Sequence, residues 1–537
     1  MTSVFNKVPL EFEKTHAFDS LPVDYISRKK HLEKLYGFFP SMDELKAHTK
    51  SRNQTPELRQ MLVQVLREQY AESGITADGL LAKNLDALSR HGTYTVTTGH
   101  QLNLFTGPLY FIYKILTTVK LAAMLRAEGI NVVPVYWMAT EDHDMEEIRH
   151  ASIFGQKFEW ETSWNGAAGK AGTEGISDVV EALQQKLGDM LGSDGLIDMI
   201  SAAYKGSASL ADATRKLVHE LFGSSGLIIL DSADDRLKRE FLPVILDDLQ
   251  HHSAERFVTA TIQQLETNYR AQVHPRTINL FYLTQDKRER IVREGDVFHL
   301  ATIGKKWTLS EILEEARNFP GRFSPNVVLR PLYQEILLPN LAMIGGPSEI
   351  AYWLEYKSMF DHFNVPFPAL VLRSCMLLVD AASRDRLIKF GLTEDLIFES
   401  SDEWIKHYLK SNPELSFSIE DRLQLMEQEF TSLSEEVSRI DVTLKGSVEA
   451  ERQKVRNALK SIEEKVLRAR KKKNENEVGQ LVKLKEKLFP GGGLQERTEN
   501  FIPFYLRYGD AFFNELLHHI NPFEQKFLIL TEKPAQG

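Results

Sequence analysis

The sequence predicts an α/β protein built on an open parallel sheet, from which an antiparallel helical hairpin projects. Three observations support this fold class. A strand, a loop, a helix and a second strand follow one another between Thr93 and Thr140, which is the order of a βαβ unit. Further short apolar runs, each bounded by Gly, Pro or polar residues, come later in the chain. Residues 415–489 carry a heptad repeat.

Residues 1–90 are predicted to be helical. The stretches MDELKAHTK, TPELRQMLVQVLREQYAESG and TADGLLAKNLDALSRHG place apolar residues three and four positions apart behind a polar start. From Thr93 the pattern changes to short β-rich runs, so the sheet is expected to begin there.

Five apolar runs are predicted to form the parallel sheet, with helices on both of its faces. They are TYTVTT, NVVPVYWMAT, Gly226–Asp231, Asn340–Gly345 and Pro368–Arg373. Two insertions interrupt the core: residues 155–225 favour helices, and the alternating pattern within 251–325 favours a small antiparallel piece. The predicted segments are an N-terminal helical segment (1–90), the first part of the core (91–155), the insertions (156–325, with a core strand near 226–231), the second part of the core (326–400), a coiled coil (401–490) and a C-terminal segment (491–537).

The heptad repeat forms two arms with a predicted reversal near Thr443–Gly446. Apolar residues alternate at spacings of four and three, and Glu, Lys, Arg, Gln and Ser fill the positions between them. Pro490–Gly493 is expected to end the hairpin, since Pro and Gly do not continue a helix. Such a hairpin favours a homodimer, and an arm that serves only its own chain is the alternative. The basic run from Arg468 is interpreted as a solvated helix face, with RNA contact as the lesser alternative.

Composition narrows the class of protein. The 537 residues are 42% hydrophobic and 26% charged, which excludes a wholly disordered chain or a collagen. A formal charge of −10 argues against nucleic-acid binding by bulk charge. The single cysteine, Cys375, excludes an internal disulfide and a Cys-based zinc cluster, and it favours a reducing compartment, the cytoplasm. Neither a signal peptide nor a membrane span is expected, and Cys375 is interpreted as a small buried hydrophobe.

The loop GHQLNLFTGP follows the first predicted strand and precedes a helix. Ligands of open parallel sheets bind at the carboxyl ends of the strands, where this loop must lie. Gly99 and Gly107 allow close approach of the backbone, and His100, Gln101 and Asn103 could donate hydrogen bonds to a phosphate or carboxylate. The alternative is a tight turn that needs glycine and binds nothing.

The acidic turn Glu141-Asp142-His143-Asp144 follows the second predicted strand. Three carboxylates and an imidazole in four residues need cations, a metal or solvent nearby. The turn therefore predicts binding of a metal, a substrate amine or a ribose. The alternative is a solvated helix N-terminus, where acidic residues are favoured.

A third candidate set surrounds the strand Asn340–Gly345. Arg330 could hold a carboxylate in bidentate fashion, and a structural ion pair with Glu335 is the alternative. The turn after the strand contributes further candidate substrate-binding residues: Gly345, Gly346, Glu349, Tyr352 and Trp353.

With these motifs in place, the chain resembles the bacillithiol-biosynthesis cysteine ligases, the BshC family, over essentially its full length. The resemblance is carried by TTGHQLNLFTGPLYFIYKI, VPVYWMATEDHDMEEI, RFSPNVVLRPLYQEILLPNLAMIGGPSEIAYW and LFPGGGLQERTENFIPFYLRYG. It implies a Rossmann-type core related to class I aminoacyl-tRNA synthetases, with connective-peptide insertions and a coiled coil used for dimerisation. The lysine-rich loop that those synthetases carry is absent after Pro368–Arg373.

The resemblance also implies a second pocket that binds ADP near the coiled coil and the C-terminal segment. The residues that match it are Asp380, Gln495, Arg497, Asn500, Leu506, Arg507, Tyr508 and Gly509. The alternative is that the tail only docks onto the core.

The function that the resemblance implies is ATP-dependent ligation of L-cysteine to glucosaminyl malate, with Mg²⁺ as a candidate cofactor. His100, Asp142, His143 and Asp144 are the expected catalytic residues. A non-catalytic protein that acts through its coiled coil is the alternative. Aminoacylation of tRNA is disfavoured, since no anticodon-binding module is evident and no nucleic-acid partner is expected.

Overall fold

The computed structural model describes residues 3–188, 190–412 and 418–534. Residues 1, 2, 189, 413–417 and 535–537, which fall within the predicted N-terminal, insertion, coiled-coil and C-terminal segments, lie outside the described residues. The strands are β1 (Phe5–Leu10), β2 (Tyr94–His100), β3 (Val132–Met138), β4 (His150–Ile153), β5 (Gln156–Glu159), β6 (Ile228–Asp231), β7 (Leu280–Leu283), β8 (Arg288–Glu294), β9 (Val297–Leu300), β10 (Lys306–Thr308), β11 (Phe323–Pro325), β12 (Asn340–Gly345), β13 (Ala369–Leu372), β14 (Cys375–Val379) and β15 (Phe527–Glu532).

Helices fill most of the remaining chain. They are α1 (Ser20–Ile26), α2 (Met42–His48), α3 (Pro56–Glu72), α4 (Gly79–Leu88), α5 (Leu109–Ala127), α6 (Met145–Ile148), α7 (Ile176–Leu187), α8 (Ser193–Tyr204), α9 (Leu210–Phe222), α10 (Asp235–Gln250), α11 (Ser253–Leu265), α12 (Leu309–Asn318), α13 (Arg330–Leu337), α14 (Pro347–Leu354), α15 (Lys357–His362), α16 (Ala381–Lys389), α17 (Ser401–Ser411), α18 (Glu420–Ile440), α19 (Lys445–Lys473), α20 (Glu475–Leu488), α21 (Gln495–Thr498), α22 (Ile502–Tyr508) and α23 (Ala511–His519). Among the described residues, none of these helices has both the length and the hydropathy to cross a bilayer.

The central sheet is parallel and has the order β13–β12–β2–β3–β6. Its strands coincide with the five predicted apolar runs, so the predicted sheet is confirmed. β3, β12 and β13 are buried along their whole length, which explains why their sequences are continuously apolar rather than alternating. Numbered along the chain and taken from β6, the order is 3-2-1-4-5, that of a Rossmann-type sheet. The order reverses between β2 and β12, and a ligand crevice is expected there.

The insertion at residues 251–325 adds a second sheet beside the core. Its five strands have the order β10–β9–β8–β7–β11 and pair antiparallel throughout. This confirms the small antiparallel piece predicted within residues 251–325. The insertion at residues 155–225 begins with β5, which pairs antiparallel with β4 and was not predicted. The rest of it carries the predicted helices, α7, α8 and α9.

The N-terminal segment departs from the prediction at its start. Helices α1–α4 form, but β1 is a strand, so the prediction of helix is wrong for residues 5–10. β1 pairs antiparallel with β15, which in turn pairs parallel with β14, and the two ends of the chain are thereby joined in one sheet. The partner strand lies at the opposite end of the chain, so the local pattern of β1 carries no sign of it.

The predicted coiled-coil hairpin is confirmed. α18 and α19 are joined by a short turn at Val442–Leu444, within the region of the predicted reversal. Glu427 of α18 forms ion pairs with Arg452 and Arg456 of α19, both at 3.3 Å, which fixes the two arms side by side.

Candidate active site

A cleft of about 870 Å³ opens at the carboxyl ends of β2, β3 and β12, where the strand order reverses. Loops that are far apart in the sequence meet there. The predicted site residues that line it are Gly99, His100, Gln101, Asp142, Arg330, Gly346, Glu349, Tyr352 and Arg497.

His100 is the last residue of β2, and its ring lies 5.3 Å from that of Tyr110 and 5.2 Å from that of Phe111. Its Nε2 is buried and has no hydrogen-bond partner among the described residues. Burial, followed by the nearby charges of Lys114 and Arg373, holds the pKa of His100 well below its ordinary value. A neutral imidazole with a free nitrogen therefore faces the cleft, and a ligand can supply the missing partner.

Lys114 joins the two strand ends on either side of the crevice. From α5 it donates a hydrogen bond of 2.8 Å to the carbonyl of Gly99 and forms an ion pair with Glu349. Glu349 also accepts a hydrogen bond of 2.8 Å from the Gly346 N–H. Burial lowers the pKa of Lys114, and the Glu349 carboxylate opposes that effect. Sequence reasoning missed this residue, although a single lysine within an apolar stretch of helix was a usable signal.

The residues of the acidic turn after β3 contact different partners. Asp142 accepts hydrogen bonds from Gln101 (2.9 Å) and from the His143 N–H (2.7 Å). Burial alone would raise the pKa of Asp142, but these hydrogen bonds and the charge of Arg288 hold it well below its ordinary value. Glu141 is paired instead with the fully buried Lys238 at 2.7 Å. Asp142 is therefore a firmly ionised carboxylate at the cleft.

The next two residues of that turn face other partners. The His143 Nδ1 accepts a hydrogen bond of 2.9 Å from Arg288 of β8. Asp144 caps α6 by accepting from the Glu147 N–H at 3.4 Å, which matches the alternative of a solvated helix N-terminus. Neither residue lines the cleft.

Arg330 begins α13 and lies against the backbone at the end of β2. A methyl group placed on Gly99 would come within 3.4 Å of its Nη1, and that nitrogen donates to Gln334 at 3.1 Å. The alternative ion pair between Arg330 and Glu335 is wrong. Glu335 is fully buried and pairs with Arg52 at 2.9 Å, which leaves the Arg330 guanidinium at the cleft.

The other predicted residues of these loops support the cleft from behind. Asn103 donates a hydrogen bond of 2.8 Å to the carbonyl of Glu147. Gly107 has φ +67°, and a Cβ there would lie 2.7 Å from the Cβ of Asn103, so only glycine fits. Gly345 is buried at the end of β12, and its carbonyl accepts from the Arg373 N–H at 2.9 Å.

Trp353 lies in the core rather than at the cleft. Its ring is fully buried against Phe360 and Phe367, at centroid distances of 5.8 and 5.9 Å. It therefore fixes α14, the helix that carries Glu349 and Tyr352.

Arg373, which sequence reasoning did not select, follows β13, the position at which class I aminoacyl-tRNA synthetases carry their lysine-rich loop. Its guanidinium is 4% exposed, lines the cleft and pairs at 2.7 Å with Glu496 of the C-terminal segment. Glu496 also accepts from the Met376 N–H at 2.9 Å. The neighbouring Cys375 is buried, and burial raises the pKa of its thiol, as expected for a small buried hydrophobe.

The residues matched to a second, nucleotide-binding pocket lie in three places. Asp380, Arg507 and Tyr508 lie together: Arg507 and Tyr508 donate to Glu532 at 2.7 and 3.0 Å, and Asp380 pairs with Lys487 at 2.5 Å. Leu506 packs against the core next to this cluster, and Gly509 (φ +62°) ends α22 there.

The remaining residues of that set belong to the core and the cleft. Gln495 bonds both the N–H and the carbonyl of Leu378, and Asn500 donates to the carbonyls of Phe105 and Gly107. Both side chains are buried and hold the C-terminal segment in place. Arg497 lines the central cleft instead.

The insertion sheet supplies an outer wall that sequence reasoning also missed. Arg276, Arg288 and Arg290 line the cleft from this side. Arg288 and Arg290 occupy alternate positions of β8, so both face the same way, a signal that the run RERIVRE contained. Within the described ranges, no group of three or more His, Cys, Asp or Glu residues is arranged to hold a metal ion.

Together, the sheet order and the cleft define a Rossmann-type α/β protein with a candidate ligand site at its topological switch point and a helical hairpin. Two family models match the chain: the N-terminal Rossmann-like domain of bacillithiol biosynthesis BshC over residues 6–374, and its C-terminal coiled-coil domain over residues 376–532. The chain belongs to the bacillithiol-biosynthesis BshC family.

Curated relatives extend over nearly the whole chain. The proteins of Christiangramia forsetii (38% identical), Flavobacterium psychrophilum (36%) and Flavobacterium johnsoniae (36%) each cover 97% of this chain and 98%, 98% and 99% of their own length. All three carry the name "Putative cysteine ligase BshC". The family relationship identifies the chain as a ligase.

A solved structure titled as a putative arginyl tRNA synthetase from Campylobacter jejuni covers 86% of this chain and 91% of its own, at 13% identity and a TM-score of 0.19. A likeness of that size supports no statement about fold or function. The relation to class I aminoacyl-tRNA synthetases stays a prediction.

Proposed function

We propose that this enzyme uses ATP to join the carboxyl group of L-cysteine to the amine of glucosaminyl malate in the cytoplasm. One observation carries the proposal: His100, Asp142, Arg330 and Glu349 meet in one cleft at the point where the strand order reverses. Groups suited to phosphate, ammonium and carboxylate are thereby present in one site.

The reaction needs an activated carboxyl group, because a free carboxylate is a poor acyl donor. A cysteine carboxylate oxygen attacks a phosphorus of ATP and forms either an acyl phosphate with release of ADP, or an acyl adenylate with release of pyrophosphate. The ammonium group of the acceptor first gives up one proton to solvent. The neutral amine then attacks the acyl carbon, loses a second proton to solvent, and expels phosphate or AMP as the amide bond forms.

The phosphate is proposed to lie near His100 and Arg373. The free Nε2 of His100 can donate to a phosphoryl oxygen when Nε2 carries the proton. The Arg373 Nε is buried and unpartnered among the described residues, and its guanidinium is held in place by Glu496. Together they provide donors and positive charge where negative charge develops, a role that the missing lysine loop would otherwise fill.

The amine is proposed to lie at Asp142 and a carboxylate at Arg330. The depressed pKa of Asp142 makes it a weak base, so it holds and orients an ammonium group better than it accepts a proton. Arg330 is fixed by Gln334 and can bind a carboxylate of cysteine or of the malyl group.

The ligation is tested by incubating the purified protein with ATP, cysteine and glucosaminyl malate, and following products by mass spectrometry. Formation of the cysteinyl amide supports the proposal, and the ratio of ADP to AMP decides between the two activated intermediates. Consumption of none of the three substrates would favour the non-catalytic alternative.

We also propose that Asp380, Arg507 and Tyr508 bind a nucleotide and that the hairpin joins two copies of the chain. Arg507 can pair with a phosphate and the Tyr508 ring can stack on a base. The hairpin exposes apolar side chains at Leu433 (45%) and Ile462 (49%), which a second copy would cover. Light scattering after size-exclusion chromatography measures the molar mass in solution and so tests the proposed association. The mass of a dimer supports it, and the mass of a monomer contradicts it.

A further inference from the structure

Two arginines on the outer wall of the cleft have no counter-charge in the described parts of the chain. Arg276 lies in the loop before β7, Arg290 lies on β8, and both line the cleft. Across the described residues, neither guanidinium forms an ion pair or a side-chain hydrogen bond. The neighbouring Arg288, in contrast, has partners: it donates to Ser324 at 3.0 Å and to the carbonyl of Pro325.

The two guanidinium groups are close enough to repel each other. Burial lowers the pKa of Arg290, and the positive charge of Arg276 lowers it further. Both side chains are solvent-exposed, so water screens this repulsion, and an anion bound between them relieves what remains. This part of the wall is therefore complementary to an anion.

The loop that carries Arg276 is held in place before any ligand binds. Glu355 accepts hydrogen bonds from the N–H groups of Gln272 (2.8 Å) and Val273 (3.3 Å). Further along the loop, the buried Asp248 accepts from the Asn279 N–H at 2.6 Å. A fixed loop reduces the entropy lost when an anion binds.

Arg290 lies near the acidic turn after β3, because Arg288 on the same strand contacts that turn. Arg288 donates to His143 at 2.9 Å, next to Asp142. Arg290 lies two residues further along the same face of β8, which places its Cα about 7 Å from that of Arg288. A ligand whose ammonium group lies at Asp142 can therefore extend towards Arg290 along the strand.

We propose that Arg276 and Arg290 form a subsite for a dicarboxylate, which holds the malyl end of the amine acceptor. Two separate guanidinium groups can each bind one of two carboxylates in bidentate fashion. Phosphate is the competing anion, and the experiment below distinguishes the two. The identity of the acceptor rests on the proposed function, but recognition of a dicarboxylate does not.

The experiment measures binding of L-malate to the full-length protein by calorimetry, with inorganic phosphate as a second ligand. The variants are Arg276→Gln, Arg290→Gln and the double variant, with Arg317→Gln, an exposed arginine of α12 outside the cleft, as the matched control. Loss of one charged pair is expected to weaken malate binding by at least about tenfold. The double variant should lose more, and the control should match the parent. In ligation assays, the KM for glucosaminyl malate should rise while the KM values for ATP and cysteine stay unchanged.

Several results would overturn the subsite. Malate that binds the parent and the double variant equally, or binds neither, excludes it. A double variant that loses phosphate or ATP binding but keeps malate binding assigns the pair to the nucleotide instead. If the parent forms no ligation product while malate binding still depends on both arginines, the proposed function fails and the subsite stands.

Discussion

The ion pair between Arg373 and Glu496 links the Rossmann-like core to the C-terminal segment, and removing it should loosen both. Glu496 is fully buried and satisfies two donors, the Arg373 guanidinium at 2.7 Å and the Met376 N–H at 2.9 Å. Glu496→Ala leaves a buried positive charge without its partner, which costs about 3–5 kcal/mol. Glu496→Gln keeps an acceptor and most of the volume, so it should cost less, about 1.5–3 kcal/mol.

Hydrogen exchange followed by mass spectrometry measures this loss locally. In peptides that contain residues 375–379 and 495–500, amide exchange in Glu496→Ala should be faster by roughly 10²-fold to 4 × 10³-fold, because each 1.4 kcal/mol corresponds to a factor of ten. Glu496→Gln should lie between the parent and the alanine variant. Glu475→Ala, at an exposed glutamate of α20, is the control and should leave exchange in both peptides unchanged.

Parental exchange rates in both peptides of Glu496→Ala would show that the ion pair does not hold the core and the C-terminal segment together. Equal exchange rates in the glutamine and alanine variants would show that the charge on Glu496 contributes nothing.

Two further predictions concern the surroundings of the cleft. Burial raises the pKa of Glu355 from 4.5, its value in the unfolded chain, to about 7. Between pH 4.5 and pH 7, the folded protein therefore keeps a proton that the unfolded chain has lost. The free energy of unfolding falls as the pH rises through this range. Denaturant unfolding at pH 4, 6 and 8 should show Glu355→Gln gaining up to about 3 kcal/mol relative to the parent by pH 8, and parallel curves would contradict this. Gly107→Ala forces a Cβ to 2.7 Å from that of Asn103 at φ +67°, so it should destabilise by about 1–3 kcal/mol and lower the Tm. Gly479→Ala, on an open helix surface, should not lower the Tm, and equal Tm values for the two alanine variants would count against the strain.

The parallel sheet and its candidate site were predictable because their signals are local. Buried strands are short apolar runs, and the residues that follow them must meet at one edge when the strands are parallel. His100 and Asp142 are predicted in this way, His100 at the end of β2 and Asp142 in the turn after β3. Arg330 was found from its position before β12, although the sequence could not decide between the cleft and an ion pair with Glu335.

The features that were missed depend on contacts between distant parts of the chain. β1 is a strand because β15 pairs with it, and nothing in the first ten residues indicates that partner. Arg373 and Glu496 gain their roles only from each other, across 123 residues. The tail residues matched to a nucleotide pocket likewise separate into three places, since a contiguous motif does not determine which side chain faces which surface.

Under the proposed function, ligation takes place in the cleft at the ends of β2 and β12. The most direct measurement is the rate of cysteinyl amide formation by His100→Ala, with His91→Ala, at an exposed histidine that does not line the cleft, as the matched control. Loss of a donor to the reacting phosphoryl group predicts a rate about 10²–10³-fold below that of the parent, with the His91 variant unchanged. A His100→Ala enzyme that ligates at the parental rate would place the reaction outside this cleft.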